Sequence, residues 1–108
     1  MDPKIAGAIE RFRRSLEDRG IRVSRIVLFG SYATGSPQPH SDIDLAVISD
    51  DFHDMNLLER LEAVGLSLAR ARIAEPIEAL AYTEDEYDSQ EHGTFVNDEV
   101  KAKGVPVP

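Results

Sequence analysis

The chain of 108 residues has no cysteine. Disulfides, thiolate zinc sites and a cysteine nucleophile are therefore excluded, and any bound metal must be held by oxygen or imidazole ligands. The sequence also lacks an apolar run near the roughly 18 residues that a membrane span requires. Residues 1–20 are charged throughout and lack the apolar stretch of a signal peptide, so a cytoplasmic protein with no membrane partner is expected. Positive charge is scarce: 12 Lys and Arg stand against 20 Asp and Glu, a formal net charge of -8. Binding a long polyanion usually requires a basic face that releases counterions, so extended nucleic acid is a disfavoured partner. No internal repeat, low-complexity tract or linker interrupts the chain. Its length suits one core and not two, so residues 1–108 are read as a single domain. With 42% apolar and 30% charged residues, that domain should be an ordinary globular one.

Ile5, Ala8, Ile9, Phe12 and Leu16 recur at the spacing of one helical face, and Gly20 offers a stop, which predicts a first amphipathic helix. Val23 to Phe29 is rich in β-branched residues and ends at Gly30, consistent with a buried strand that turns sharply. A loop from Gly35 to Ser41 leads to a second strand, Ile43 to Ser49. Leu57, Leu58, Leu61, Val64 and Leu68 then repeat with helical period, predicting a helix from about Met55 to Arg72 capped by Asp51 or Asp54. Pro76 to Tyr82 reads as a third strand, with Pro76 where its missing N–H costs least. Short helical pieces are expected from Thr83 to Lys103. The order helix, strand, strand, helix, strand, helix implies an α/β or α+β sheet with helices packed on it, and leaves the strand directions open.

The informative stretch is FGSYATGSPQPHSDIDLAV, Phe29 to Val47. Side chains alternate faces along a strand, so Asp42 and Asp44 point one way while Ile43, Leu45 and Val47 point into a core. Adjacent anions near a core are costly unless a cation compensates them, and hard oxygen ligands suit Mg²⁺ or Mn²⁺. Gly30-Ser31 supplies a complement. Glycine at a strand end lets backbone approach a ligand, and a short helix opened by Ser31 would present N–H groups and a hydroxyl to an anion. Taken singly, Gly-Ser is most often a turn and Asp-x-Asp a solvated strand end. Their joint occurrence at this fixed spacing arises by chance in a chain of this size on the order of once in a thousand.

Gly-Ser, ten residues, then Asp-x-Asp, embedded in FGSYA-x-G and SDIDL, resembles the minimal nucleotidyltransferases of the DNA polymerase β superfamily. The motif spans Leu28 to Val47, and the element order agrees over nearly the whole chain. The resemblance implies that superfamily's fold, a small mixed β-sheet of three to four strands flanked by helices. It implies a metal-dependent transferase that moves a nucleoside monophosphate, AMP from ATP or the equivalent from another NTP, onto a hydroxyl. Gly30 and Ser31 would hold the triphosphate, and Asp42 and Asp44 would bind two Mg²⁺ or Mn²⁺ ions. The resemblance calls for a third carboxylate on a later strand. Glu78 is the position it maps to, with Asp85, Glu84 and Glu75 as competitors. Many members carry arginine where this sequence has Thr34, and the third carboxylate is more often aspartate. Stand-alone members are commonly encoded beside a small helical HEPN protein and act as its antitoxin, which implies protein adenylylation of that partner. A different class of function stands beside this one: a non-catalytic antitoxin that neutralises a HEPN-type partner by binding alone.

Other residues attract simpler readings. His40 lies in a proline-rich loop without a metal-ligand partner spacing, His53 sits among helix-capping aspartates, and His92 has no ligand pattern. Arg11, Arg13 and Arg14 read as the solvated face of the first helix. Tyr32 packs beside the phosphate loop or anchors it, and the sequence does not choose.

Overall fold

The structure, a computed structural model, describes residues 1–39, 41–89 and 94–108. Helix α1 runs Pro3–Asp18, its start fixed by the Asp2 side chain accepting from the Lys4 N–H at 2.8 Å and by proline at the first turn. It buries Ile5, Ala8, Ile9, Phe12 and Leu16, the face expected, and Gly20 ends it with φ 86°. Strand β1 (Arg25–Phe29) is followed by the single turn α2 (Ser31–Thr34), and strand β2 covers Ile43–Ile48. A 3₁₀ turn, Asp50–Phe52, leads to α3 (Leu57–Arg70) and then β3 (Ile77–Tyr82). Helix α4 (Glu84–Asp88), a π-helical segment (Val96–Lys101) and the two-residue strand β4 (Val105–Pro106) complete the chain.

The sheet order is β3-β2-β1-β4. β1 is antiparallel to β2 and to β4, whereas β3 is parallel to β2, so the sheet is mixed. The parallel pair follows from α3, which carries the chain back across the sheet between β2 and β3. β2 is central and apolar on both faces after Asp44, because both faces are covered. Ile43, Leu45 and Val47 join Ile9, Phe12 and Leu16 beneath α1 and α3. Ala46 and Ile48 join Val27, Phe29, Tyr87, Val96 and Val100 on the other face. Helices α1 and α3 meet at two buried serines, where the Ser15 hydroxyl donates to the Ser67 carbonyl at 2.7 Å.

One expectation changes, and two features were not foreseen. The cap of α3 is Asn56, not Asp51 or Asp54: its side chain accepts the Glu59 N–H while Glu59 returns a bond to the Asn56 N–H, both at 2.9 Å. Asp51 is instead engaged by the Arg22 N–H at 2.7 Å. The leucine stripe of α3 is buried only toward its C-terminal half. Ala63, Val64 and Ser67 are buried, whereas Leu57, Leu58 and Leu61 are 74%, 64% and 53% exposed. β4 gave no signal in the sequence, since two residues, one a proline, are too few for periodicity to register.

Candidate active site

β2 delivers Asp44, and its neighbours on either side define the site. In the ladders Asp44 is the register partner of Phe29 on β1 and of Glu78 on β3. Adjacent strands lie about 4.8 Å apart, so the Asp44 and Glu78 side chains leave the same sheet face side by side. Ile77 and Ala79 pack into the core on the opposite face, as strand alternation requires. Asp42 is exposed one residue before β2 begins, on the same side of the alternation as Asp44.

The turn after β1 closes the other wall. Gly30 has φ 72°, a conformation side-chain-bearing residues rarely adopt, and a Cβ there would overlap the Asp44 carboxylate. Glycine is thus required twice, by the backbone and by the acid behind it. Ser31 opens α2, whose start carries no side-chain cap, while the Ala33 and Thr34 N–H groups donate to the Gly30 carbonyl at 3.1 and 3.2 Å. Thr34 turns its hydroxyl inward, toward the carbonyls of Gly30 and Ser31.

Together these elements border an open cleft of about 510 Å³ lined by Gly30, Asp44, Glu78, Phe29, Leu80, Tyr82, Phe95 and Glu99. Burial pushes the Asp44 carboxyl above its ordinary range, and the negative charges of Glu78 and then Asp42 push it further the same way. Glu78 and Asp42 thus both bear on Asp44. Among the described residues no three His, Cys, Asp or Glu side chains already converge as a metal cage. A Mg²⁺ ion needs only one or two protein carboxylates, completing its octahedron with water and phosphate oxygens, so the donor set suits it. The desolvated, doubly repelled Asp44 is the feature a divalent cation would relieve.

The competing carboxylates lie elsewhere. Glu84 is paired with Arg25 at 2.7 Å, Glu75 with Arg11 at 3.4 Å, and Asp85 is exposed on α4. Arg14 reaches Glu10 from a solvated position, as expected, whereas the Arg13 side chain is only 19% exposed and reaches both Glu10 and the Pro108 carbonyl. His53 is exposed and ends the 3₁₀ turn, Tyr32 is half-buried against the core, and His40 and His92 lie outside the described residues. The aromatic wall was not anticipated. Phe95, 55% exposed, meets Phe29 edge-on at 5.8 Å, and only tertiary packing of the C-terminal segment brings it and Glu99 to the cleft.

A family model described as "Nucleotidyltransferase domain" matches residues 9–102. The chain belongs to that family. Glycine turn, aspartate pair and Glu78 all fall within the matched span of this nucleotidyltransferase domain. Solved structures show the same fold at low identity. A toxin–antitoxin solved with AMP-PNP is similar at 22% identity and TM-score 0.62, over 95% of this chain and 72% of that one. A mutant of the toxin–antitoxin MntA-HpeT, with two aspartates two residues apart changed to glutamate, is similar at 20% identity and TM-score 0.56, over 88% of this chain and 67% of the other. BolA1 from Arabidopsis thaliana is similar at 17% identity and TM-score 0.53, covering 73% of this chain and 94% of its own, so fold likeness alone does not carry function. No curated protein matches the nucleotidyltransferase domain's sequence significantly.

Proposed function

We propose that this nucleotidyltransferase transfers AMP from ATP to a hydroxyl of a partner protein, and that the partner is a HEPN-type toxin for which the chain serves as antitoxin. The observation that carries the reading is the position of Asp44, pressed against the Gly30 turn on one side and in register with Glu78 on the other. Phosphate-binding turn and acid cluster thus border the same space, as a triphosphate with its cations requires. Two similar toxin–antitoxin structures support the partner, and AMP-PNP in one of them supports the donor. The aspartates altered in the other have the spacing of Asp42 and Asp44.

Asp42, Asp44 and Glu78 would hold two Mg²⁺ or Mn²⁺ ions, whose chemistry there is to neutralise phosphate charge and ease loss of the hydroxyl proton. The Ser31 hydroxyl and the uncapped N–H groups of α2 hold the β and γ phosphates. The acceptor oxygen attacks the α phosphorus in line, forming one P–O bond as the bond to pyrophosphate breaks. Glu78 accepts the hydroxyl proton, and pyrophosphate leaves with the electron pair. The aromatic and apolar wall of Phe29, Leu80 and Phe95 borders the reacting phosphate on one side.

The test is to incubate the protein with ATP, Mg²⁺ and the product of the neighbouring gene, then weigh both proteins. A gain of one AMP by the partner, absent with Asp44→Asn, is the expected result. A stable complex that gains no mass with any NTP would instead make the chain a neutralising module that acts by binding alone.

A further inference from the structure

We propose that the exposed half of α3 and the free edge of β3 form the surface on which the acceptor protein docks, and that its occupant is a basic protein with an apolar ridge. The inference rests on the transfer reading above and names where that reading's substrate is recognised.

Leu57 and Leu61 lie on the same helical stripe as the buried Val64, yet beside the outer strand β3 they are left 74% and 53% exposed. Leu58, 64% exposed, widens the patch. Large aliphatic side chains clustered on an exposed turn mark an interaction surface, since a solvated helix face gains nothing from them. Between these leucines and β3 runs a narrow cleft of about 90 Å³ whose far wall includes Leu80 and Tyr82. Leu80 and Tyr82 also line the catalytic cleft, their side chains on the opposite face of β3 from α3, so the groove and the candidate active site lie on the two faces of one edge strand. A protein that grips the leucines and wraps the edge of β3 therefore reaches the cleft on its other face.

The backbone adds a second recognition element. β3 is the outer strand of the sheet, and the Pro76 and Tyr82 carbonyls face β2, accepting from Ile43 and Ser49. By alternation the main-chain groups of Ile77, Ala79 and Ala81 face outward, and among the described residues Arg60 covers the Ala81 carbonyl. Charge selects the occupant. Glu59 and Glu62 are exposed beside the leucines, and Arg60, the only basic residue between His53 and Arg70, is neutralised by Glu86 at 2.6 Å. On a chain of net charge -8, this rim repels a second copy and attracts a partner whose apolar ridge is flanked by Lys and Arg.

A photo-crosslinking residue at position 61 in cells that natively encode the chain provides the test, with Val105 on the opposite sheet edge as control. The same cells are surveyed for proteins that gain a nucleoside monophosphate. One protein should crosslink from position 61, not from 105, and carry the modification. Leu57→Asp/Leu61→Asp should lower that modification by at least about tenfold, as loss of a central apolar anchor does, while preserving the thermal shift given by Mg²⁺ and ATP. Wild-type modification by the double variant would overturn the inference, as would crosslinking from 61 only to a second copy or equal crosslinking from 105. If the wild-type chain modifies no protein, or Asp44→Asn modifies one as well as the wild type does, the transfer reading itself fails and takes this inference with it.

Discussion

Gly30 backs directly onto the carboxylate of Asp44: a Cβ added to Gly30 would overlap that carboxylate and lie 3.1 Å from its Cγ. The turn that would grip a nucleotide's phosphates and the acid that would hold its cation are thus a single packing unit. Gly30→Ala should damage both at once, with strain from φ 72° and displacement of Asp44. We expect about 1–3 kcal/mol of lost stability and loss of nucleotide binding. Gly20→Ala is the control, since Gly20 has φ 86° but open space around it. That variant should lose about 1–2 kcal/mol yet bind nucleotide normally, as thermal unfolding and titration with Mg²⁺ and ATP can establish.

Asp44→Asn should cost at least about 10²–10³ in transfer rate and still make the metal-free protein more stable at neutral pH. Burial, Glu78 and Asp42 all raise the Asp44 carboxyl above its ordinary range, so its ionisation works against the fold. The penalty is absent below the ordinary aspartate range and complete above the raised one. Unfolding curves in chelator across that window should show Asp44→Asn most advantaged at neutral pH and the gap closing on acidification. Added Mg²⁺ should raise the melting temperature of the wild type more than that of the variant.

Glu86 works in the opposite direction. Its hydrogen bond to Arg60, with contacts of 2.6 and 3.0 Å, is the main cause that lowers its carboxyl below the ordinary range, and the Thr83 N–H adds to it. A depressed acid contributes stability above its unfolded value and loses it as pH falls through the folded one. Urea midpoints of wild type and Glu86→Gln should therefore differ at neutral pH and converge in acid. Arg60→Ala should cost more than Glu86→Gln, because Arg60 also donates to the Met55 and Ala81 carbonyls.

Asn56→Ala removes the true cap of α3 and should cost about 1 kcal/mol in urea unfolding, whereas Asp54→Ala should stay within about 0.5 kcal/mol.

The sequence was most legible where chemistry and periodicity coincide. The strand alternation that sends Asp42 and Asp44 one way and Ile43, Leu45 and Val47 the other was readable from residue order alone, because a period of two leaves no other choice. Glu78 came from the family resemblance, and its register with Asp44 could not be read, since pairing depends on how α3 returns the chain. The α3 cap was missed because Asp51, Asp54 and Asn56 are all competent, and only the position of the first turn decides among them. Leu57 and Leu61 share the period of a core stripe, so periodicity could not reveal that they stay exposed at the sheet's edge. Phe95 and Glu99 come to the cleft by tertiary packing across long sequence separation, which local patterns do not encode.

Diffraction from crystals grown with Mn²⁺ and a non-hydrolysable ATP analogue, recorded for the anomalous signal of the metal, tests the central claim most directly. Two metal peaks should lie at about 2.0–2.2 Å from carboxylate oxygens of Asp42, Asp44 and Glu78, with the β and γ phosphates against Ser31 and the start of α2. Nucleotide bound away from the Gly30 turn, or metal that leaves Asp44 without a cation, would contradict it.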